Sequence, residues 1–167
     1  FSEPPVRCEV WQANQPLGEG WQAAGSHALM ALYFAPRTAE TLPIEIRVGL
    51  SAVSIAGARA NLEAELAGRP FDDILEAAKS AWEEMLSRIR VEGGTPAQRR
   101  VFYTALYRAF QMPTVFSDVD GHYPGFDGAT HLADGFRYYT DFSLWDTFRT
   151  VMPLYYLVAP DESRDML

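Results

Sequence analysis

Apolar residues recur with a period near 2 before Ser54 and with a helical period after it. No uniform all-β or all-α architecture accommodates both halves. Val6-Arg7-Cys8-Glu9-Val10-Trp11 and Ile44-Glu45-Ile46-Arg47-Val48-Gly49-Leu50 alternate apolar and polar residues, the mark of a strand with one wet face. Between them, Ala28-Leu29-Met30-Ala31-Leu32-Tyr33-Phe34 is a continuous apolar run of the buried-strand kind, stopped by Pro36. Residues 37–43 form a short polar connection. Three strands with short loops predict antiparallel β structure, the closing strands of a sandwich.

Beyond Ser54 the residues favour helix. Residues 58–66 carry helix formers and end at Gly68. After Pro70, the residues Ile74, Leu75, Ala78, Trp82, Met85, Leu86 and Ile89 recur at helical spacing, with Asp72 and Asp73 at the start and Arg88 and Arg90 near the end. Gly93-Gly94 stops this helix. Thr95-Pro96-Ala97-Gln98 restarts one, with Thr as N-cap, Pro at the first position and Gln closing a capping box. The second helix is expected to run to about Gln111 and to present Val101, Phe102, Ala105, Leu106 and Ala109 on one side, completing an αα-hairpin.

Residues 113–140 lose all periodicity. Ser117-Asp118-Val119-Asp120-Gly121 and Pro124-Gly125-Phe126-Asp127-Gly128 are turn clusters. A connection of that length is expected to be functional or internally structured. A further helix is expected from Ser143, carrying Leu144, Phe148, Val151 and Leu154 inward, with Pro153 ending or kinking it. Pro160-Asp161-Glu162-Ser163 opens another. That opening, with Leu167 soon after and Phe at position 1, reads as an excerpt of a longer protein.

Composition narrows the function. The 167 residues include 22 acidic side chains against 14 Lys and Arg, a net charge of −8, which argues against a nucleic-acid partner. No apolar run approaches the ~18 residues of a membrane helix. Cys8 is the only cysteine, so no internal disulfide or Cys-rich zinc site is available. Of the 22 aromatic residues, 15 lie between Phe102 and Tyr156.

One stretch gathers the groups that sugar recognition uses: Tyr138-Tyr139-Thr140-Asp141-Phe142-Ser143-Leu144-Trp145-Asp146-Thr147-Phe148-Arg149. A sugar offers an apolar face to an indole and hydroxyl pairs to a carboxylate or guanidinium. A structural account is equally concrete. Ser143-Leu144-Trp145-Asp146 is itself a capping-box pattern, Trp145 and Phe148 suit a core, and Arg149 can pair with an acid. Asp118-Val119-Asp120-Gly121 begins like a calcium loop but departs from the template at its fifth and sixth places, where His122 and Tyr123 stand, so a tight turn accounts for it better. Glu83 and Glu84 read as a solvated helix face. His27, His122 and His131 have no metal-ligand spacing and read as surface or hydrogen-bonded histidines.

Taken in order, these segments resemble glycoside hydrolase family 92. The likeness runs from Phe1-Ser2-Glu3-Pro4 through Val48-Gly49-Leu50-Ser51-Ala52-Val53-Ser54 and Ala58-Arg59-Ala60-Asn61-Leu62-Glu63-Ala64-Glu65. It continues through Trp82, Phe102-Tyr103-Thr104-Ala105-Leu106-Tyr107-Arg108 and Ser117-Asp118-Val119-Asp120-Gly121 to Phe142-Ser143-Leu144-Trp145-Asp146-Thr147-Phe148-Arg149 and Pro153-Leu154. The resemblance implies an inverting, calcium-dependent exo-α-mannosidase acting on mannose-containing glycans. Its fold would be mixed β then α: residues 1–55 ending an antiparallel β-sandwich, and residues 56–167 forming a linker helix and the first helices of an (α/α)6 catalytic barrel.

The resemblance places the catalytic acid, the base and the Ca2+ ligands beyond this stretch. It implies that Trp145, Asp146, Thr147 and Arg149 shape the pocket for the terminal mannose. Asp146 would accept hydrogen bonds from sugar hydroxyls, Trp145 would wall the pocket, and Arg149 would bind sugar or hold Asp146; Asp118 is a weaker candidate for substrate binding. A glycan-trimming role implies a secreted or periplasmic location. The rival readings are a non-catalytic carbohydrate-binding or scaffold protein of the same fold, and a different (α/α)6 glycosidase of the glucoamylase or trehalase kind.

Overall fold

The computed structural model describes residues 3–20, 22, 24–25, 28–35 and 44–167. The chain divides into two compact units, Phe1–Val48 and Gly49–Leu167. The architecture is β followed by α, as the change of period predicts.

The first unit holds one antiparallel sheet of β1 (Arg7–Gln12), β2 (Gln15–Glu19) and β3 (Ala28–Tyr33), in the order β2-β1-β3. The alternation in β1 is realised: Cys8 and Val10 are buried at 4% exposure each, while Arg7 faces solvent. On the wet face Tyr33 Oη donates to Glu9 Oε2 at 2.8 Å, and the Arg7 guanidinium lies 5.3 Å from the Tyr33 ring centroid. The β1–β2 hairpin turns through Ala13 (φ 47°) and Asn14 (φ 64°), a two-residue loop whose positive φ values match the twist of the strands.

One strand is not expected, and two strand expectations need correction. Gln15–Glu19 pairs as β2 although its pattern does not alternate; the two-residue turn brings it back alongside β1. The apolar run in β3 is not buried, since Leu29 is 60% exposed; among the described residues β3 is paired on one side only, with β1. Residues 44–50 alternate but form no strand, since among the described residues no neighbouring strand pairs with them and alternation alone is not a ladder. There Ile46, Val48 and Leu50 face outward, and Arg47 Nε donates to Glu45 Oε1 at 2.5 Å. The expected connection over 37–43, the stop at Pro36, the start at Phe1-Ser2 and His27 lie outside the described residues.

The second unit opens with α1 (Ile55–Leu66), capped by Ser54, whose Oγ accepts from Gly57 N at 2.9 Å. Next come α2 (Phe71–Leu86) and α3 (Pro96–Ala109). The capping box at Thr95 is complete: Gln98 N donates to Thr95 Oγ1 at 3.2 Å, and Thr95 N donates to Gln98 Oε1 at 2.8 Å. The hairpin is held by Trp82 against Tyr107, with ring centroids 4.3 Å apart, and by Tyr103 Oη donating to the Ile89 carbonyl. Helix α2 ends at Leu86, earlier than Gly93-Gly94 predicts. In α3 the inward face is Phe102, Tyr103, Leu106, Ala109 and Phe110, whereas Val101 is 70% exposed. On this face the Tyr103 hydroxyl donates to the Ile89 carbonyl and accepts from Val91 N, near the start of the hairpin loop.

Residues 113–140 are internally structured. Strand β4 (Thr114–Val115) pairs with β7 (Tyr139–Thr140), and β5 (His122–Pro124) pairs with β6 (Thr130–Leu132). Both turn clusters are turns: Gly121 N donates to the Asp118 carbonyl, and Gly128 N to that of Gly125. His122 Nδ1 lies 3.0 Å from Asp120 Oδ2, and His131 Nε2 lies 3.0 Å from Asp127 Oδ1. The His122 backbone N–H, and then its ring, hold the Asp120 carboxyl below the usual aspartate range, and the His131 ring does the same for Asp127.

The helix expected from Ser143 is broken into α4 (Leu144–Thr147) and α5 (Val151–Val158), followed by α6 (Pro160–Asp165). The break falls at residues 148–150, ahead of Pro153. Pro153 instead sits in the first turn of α5, where its missing N–H has no intrahelical partner to lose. Leu144 and Phe148 are 65% and 57% exposed, contrary to their expected inward place. The residues α5 does bury are Met152 and Tyr155. Tyr155, at 1% exposure, stacks on Phe110 and directs its hydroxyl to the carbonyls of Ala109 and Met112. No helix among the described residues is long and apolar enough to cross a membrane.

Candidate functional site

The turn that carries Trp145, Asp146 and Thr147 is built largely from its own residues. The Ser143 carbonyl accepts from Asp146 N and Thr147 N, each at 3.0 Å, and from Thr147 Oγ1 at 3.0 Å. Ser143 Oγ donates to Asp146 Oδ2 at 2.9 Å. The expected capping box therefore does not form: the hydroxyl that would cap a backbone N–H bonds the carboxylate instead. This leaves Oδ1 of Asp146 as the outward acceptor. Trp145, the preceding residue, is 80% exposed.

Arg149 stacks over Phe148, its guanidinium carbon 5.1 Å from the ring centroid. Of the two roles weighed for Arg149, holding Asp146 is taken by Ser143, and the guanidinium edge stays available to a polar ligand. An exposed indole, a carboxylate oriented by one hydroxyl and a flat guanidinium within five residues can hold a polyhydroxylated ring by stacking and paired hydrogen bonds.

Asp118 is engaged differently. It is 7% exposed. Its Oδ2 accepts from Ser51 Oγ at 2.7 Å and its Oδ1 from Asn61 Nδ2 at 2.8 Å. Asn61 Nδ2 also donates to the Leu50 carbonyl, and Asn61 Oδ1 accepts from Val119 N at 2.9 Å. Ser51 Oγ accepts from Val53 N and Ser54 N. The carboxylate thus knots the segment before α1, the body of α1 and the turn at 118–121. Each Asp118 oxygen has a protein donor, the arrangement of a structural tie.

A second feature escaped sequence reasoning. Arg88 makes a two-pronged ion pair with Glu162, with Nη2 to Oε1 at 2.8 Å and Nη1 to Oε2 at 3.0 Å, and also donates to the Val158 carbonyl. The pair fastens the segment just after α2 to α6. The Arg88 hydrogen bond holds the Glu162 carboxyl below the usual glutamate range. Beneath it lies an apolar cavity of ≈ 270 Å³ lined by Ala78, Trp82, Met85, Phe110, Tyr139 and Tyr155. Burial pushes the Tyr139 and Tyr155 phenols up. Tyr139, only 8% exposed, is a core residue at the edge of the sugar-like motif.

Among the described residues no three His, Cys, Asp or Glu side chains converge on a point that could hold a metal ion.

Residues 57–167 match the model of the glycosyl hydrolase family 92 catalytic domain. Solved structures extend the likeness over nearly the whole chain. A family 92 α-mannosidase from Bacteroides thetaiotaomicron is 27% identical with a TM-score of 0.78, over 99% of this chain and 23% of that one. Its complex with mannoimidazole is 27% identical with a TM-score of 0.77, over 99% and 22%. A family 92 inverting mannosidase from Bacteroides thetaiotaomicron VPI-5482 is 28% identical with a TM-score of 0.74, over 92% and 21%. This chain therefore spans less than a quarter of the proteins it resembles in structure. No curated protein sequence matches it significantly.

Proposed function

Because the chain belongs to glycosyl hydrolase family 92, we propose that it is part of an inverting, calcium-dependent exo-α-mannosidase that removes terminal mannose from glycans. The observation that carries this reading to particular residues is the Ser143–Asp146 turn. One Asp146 oxygen is bonded by Ser143, and the residues around it in sequence include an 80% exposed Trp145 and an Arg149 stacked on Phe148.

In the proposed enzyme this turn binds and orients sugar. Asp146 Oδ1 accepts from a pair of mannose hydroxyls, Trp145 covers the apolar face of the ring, and Arg149 donates to a ring substituent. Thr147, tied to the Ser143 carbonyl, keeps the turn in shape. Asp118 serves the site only indirectly, through the fold. Inversion needs an acid at the leaving oxygen and a base about 6.5–9.5 Å away to admit water. These groups, the calcium ligands, the rest of the sandwich and the rest of the barrel are assigned to parts of the protein beyond these residues. Calcium, when bound there, supplies positive charge to sugar oxygens. A role in trimming glycans also fits a secreted or periplasmic protein.

The test is hydrolysis of an aryl α-mannoside by the full-length protein. Activity abolished by EDTA and restored by calcium is expected, together with a loss of about 100-fold or more in kcat/KM for Asp146→Ala in a folded protein. Wild-type turnover by that variant would sink the contact role. Failure of the wild type to cleave any α-mannoside while still binding mannose would favour a carbohydrate-binding protein of the same fold.

A further inference from the structure

We infer that Asp141 is a positioning residue for the sugar-binding turn, acting through its backbone conformation and not through its carboxylate. The inference rests on the proposal that Asp146 contacts mannose.

Asp141 joins two locally rigid pieces. On one side, β7 is laddered to β4, with Thr140 opposite Thr114 and Tyr139 opposite Val115. Phe116 N donates to the Tyr138 carbonyl at 2.7 Å, and Tyr139 is buried. On the other side, residues 143–147 are closed on themselves by the three bonds to the Ser143 carbonyl and by the Ser143–Asp146 contact. Only Asp141 and Phe142 lie between, so their backbone angles set where the closed turn points.

Asp141 stands at φ 63°, in the left-handed region. Glycine enters that region freely, Asn and Asp enter it readily, and a β-branched residue is an outlier there. The Asp141 carboxylate is exposed and has no hydrogen bond or ion pair among the described residues. The residue type therefore matches what the backbone demands, while the side chain holds nothing. Restoring a negative φ at this joint would swing Asp146, five residues on, away from its place. A displacement of about 1 Å at a binding group can cost on the order of 100-fold in rate.

The experiment compares Asp141→Asn, Asp141→Gly and Asp141→Val in the full-length protein. It reads kcat and KM on an aryl α-mannoside, affinity for mannoimidazole, and Tm. Asn and Gly are expected to keep KM within about twofold of wild type. Val is expected to raise KM and weaken mannoimidazole binding about tenfold or more, with a smaller change in kcat. If Val does not accumulate as folded protein, Asp141→Ala takes its place, since it shares the preference for negative φ. Loss of binding in the Asn and Gly variants would assign the role to the carboxylate and overturn the inference, as would wild-type KM in the Val variant. Asp146→Ala run alongside separates the two ideas: if it keeps wild-type KM, the contact reading fails, and if it loses binding while Asp141→Val does not, this inference alone fails.

Discussion

Ser143 and Asp146 show how a single side-chain choice changes the chemistry of a helix start. The same hydroxyl could have capped the backbone; bonded to Asp146 Oδ2 at 2.9 Å, it orients the carboxylate through one oxygen only. Removing it frees the carboxylate to rotate. Ser143→Ala in the full-length protein is expected to raise KM for an aryl α-mannoside about five- to tenfold, in line with one hydrogen bond to a charged group at an exposed site, with little change in Tm. An unchanged KM would mean that the contact does not orient the acid. The sequence marks the residue types here. It does not reveal which partner the hydroxyl takes, because a capping bond and a carboxylate bond use the same i, i+3 spacing.

At the scale of elements, two ties hold the helical unit. Around Asp118, Gly57 packs so closely that a Cβ would stand 2.2 Å from Asp118 Oδ2 and 2.8 Å from Ser51 Oγ. Gly57→Ala would favour an isolated helix by about 1 kcal/mol. Here it is expected to destabilise the protein by about 1–3 kcal/mol, because the buried knot must open to admit a methyl group. A denaturant titration decides the sign. The second tie, Arg88 with Glu162, carries a pH dependence. The folded state binds the Glu162 proton less tightly than the unfolded chain does, since Arg88 stabilises the charged form. Its contribution is complete above the ordinary glutamate pKa and is lost as pH falls through the lowered folded value. With both side chains about a quarter to a third exposed, the effect is ~1 kcal/mol. Thermal unfolding below about pH 4 should fall more steeply for the wild type than for Glu162→Gln, and equal slopes would remove the pair from the account.

For the molecule as a whole, the balance of covered and open apolar surface matters most. Among the described residues the buried apolar set comprises Cys8, Val10, Leu106, Ala133, Tyr139, Met152, Tyr155 and Ala159. Against it stand exposed Leu50, Leu144, Trp145, Phe148 and Leu157, the last at 82%. Open apolar area of this kind marks surfaces meant for contact. These 167 residues expressed alone are expected to bind ANS strongly and to associate in sedimentation experiments, whereas the full-length protein should do neither to the same degree. Weak ANS binding by the isolated stretch would show that the exposed side chains do not form a continuous patch.

Local chemistry determined what the sequence could reveal unaided. The change of period at Ser54, the Thr95–Gln98 capping box, the turns at 118–121 and 125–128 and the family resemblance were all legible there. Each depends on residues within a few positions of one another, or on motifs in order. Tertiary structure alone decided the rest. The alternating run at 44–50 stays outside any ladder, β3 leaves Leu29 open, α3 turns Val101 to solvent, and the expected helix from Ser143 breaks before Pro153. The pairing of Arg88 with Glu162 and the three-way knot at Asp118 belong to the same class. The physical reason is common to all of them. A side-chain pattern states which surface could be buried, but burial and buried hydrogen bonds exist only where a partner remote in sequence arrives to make them.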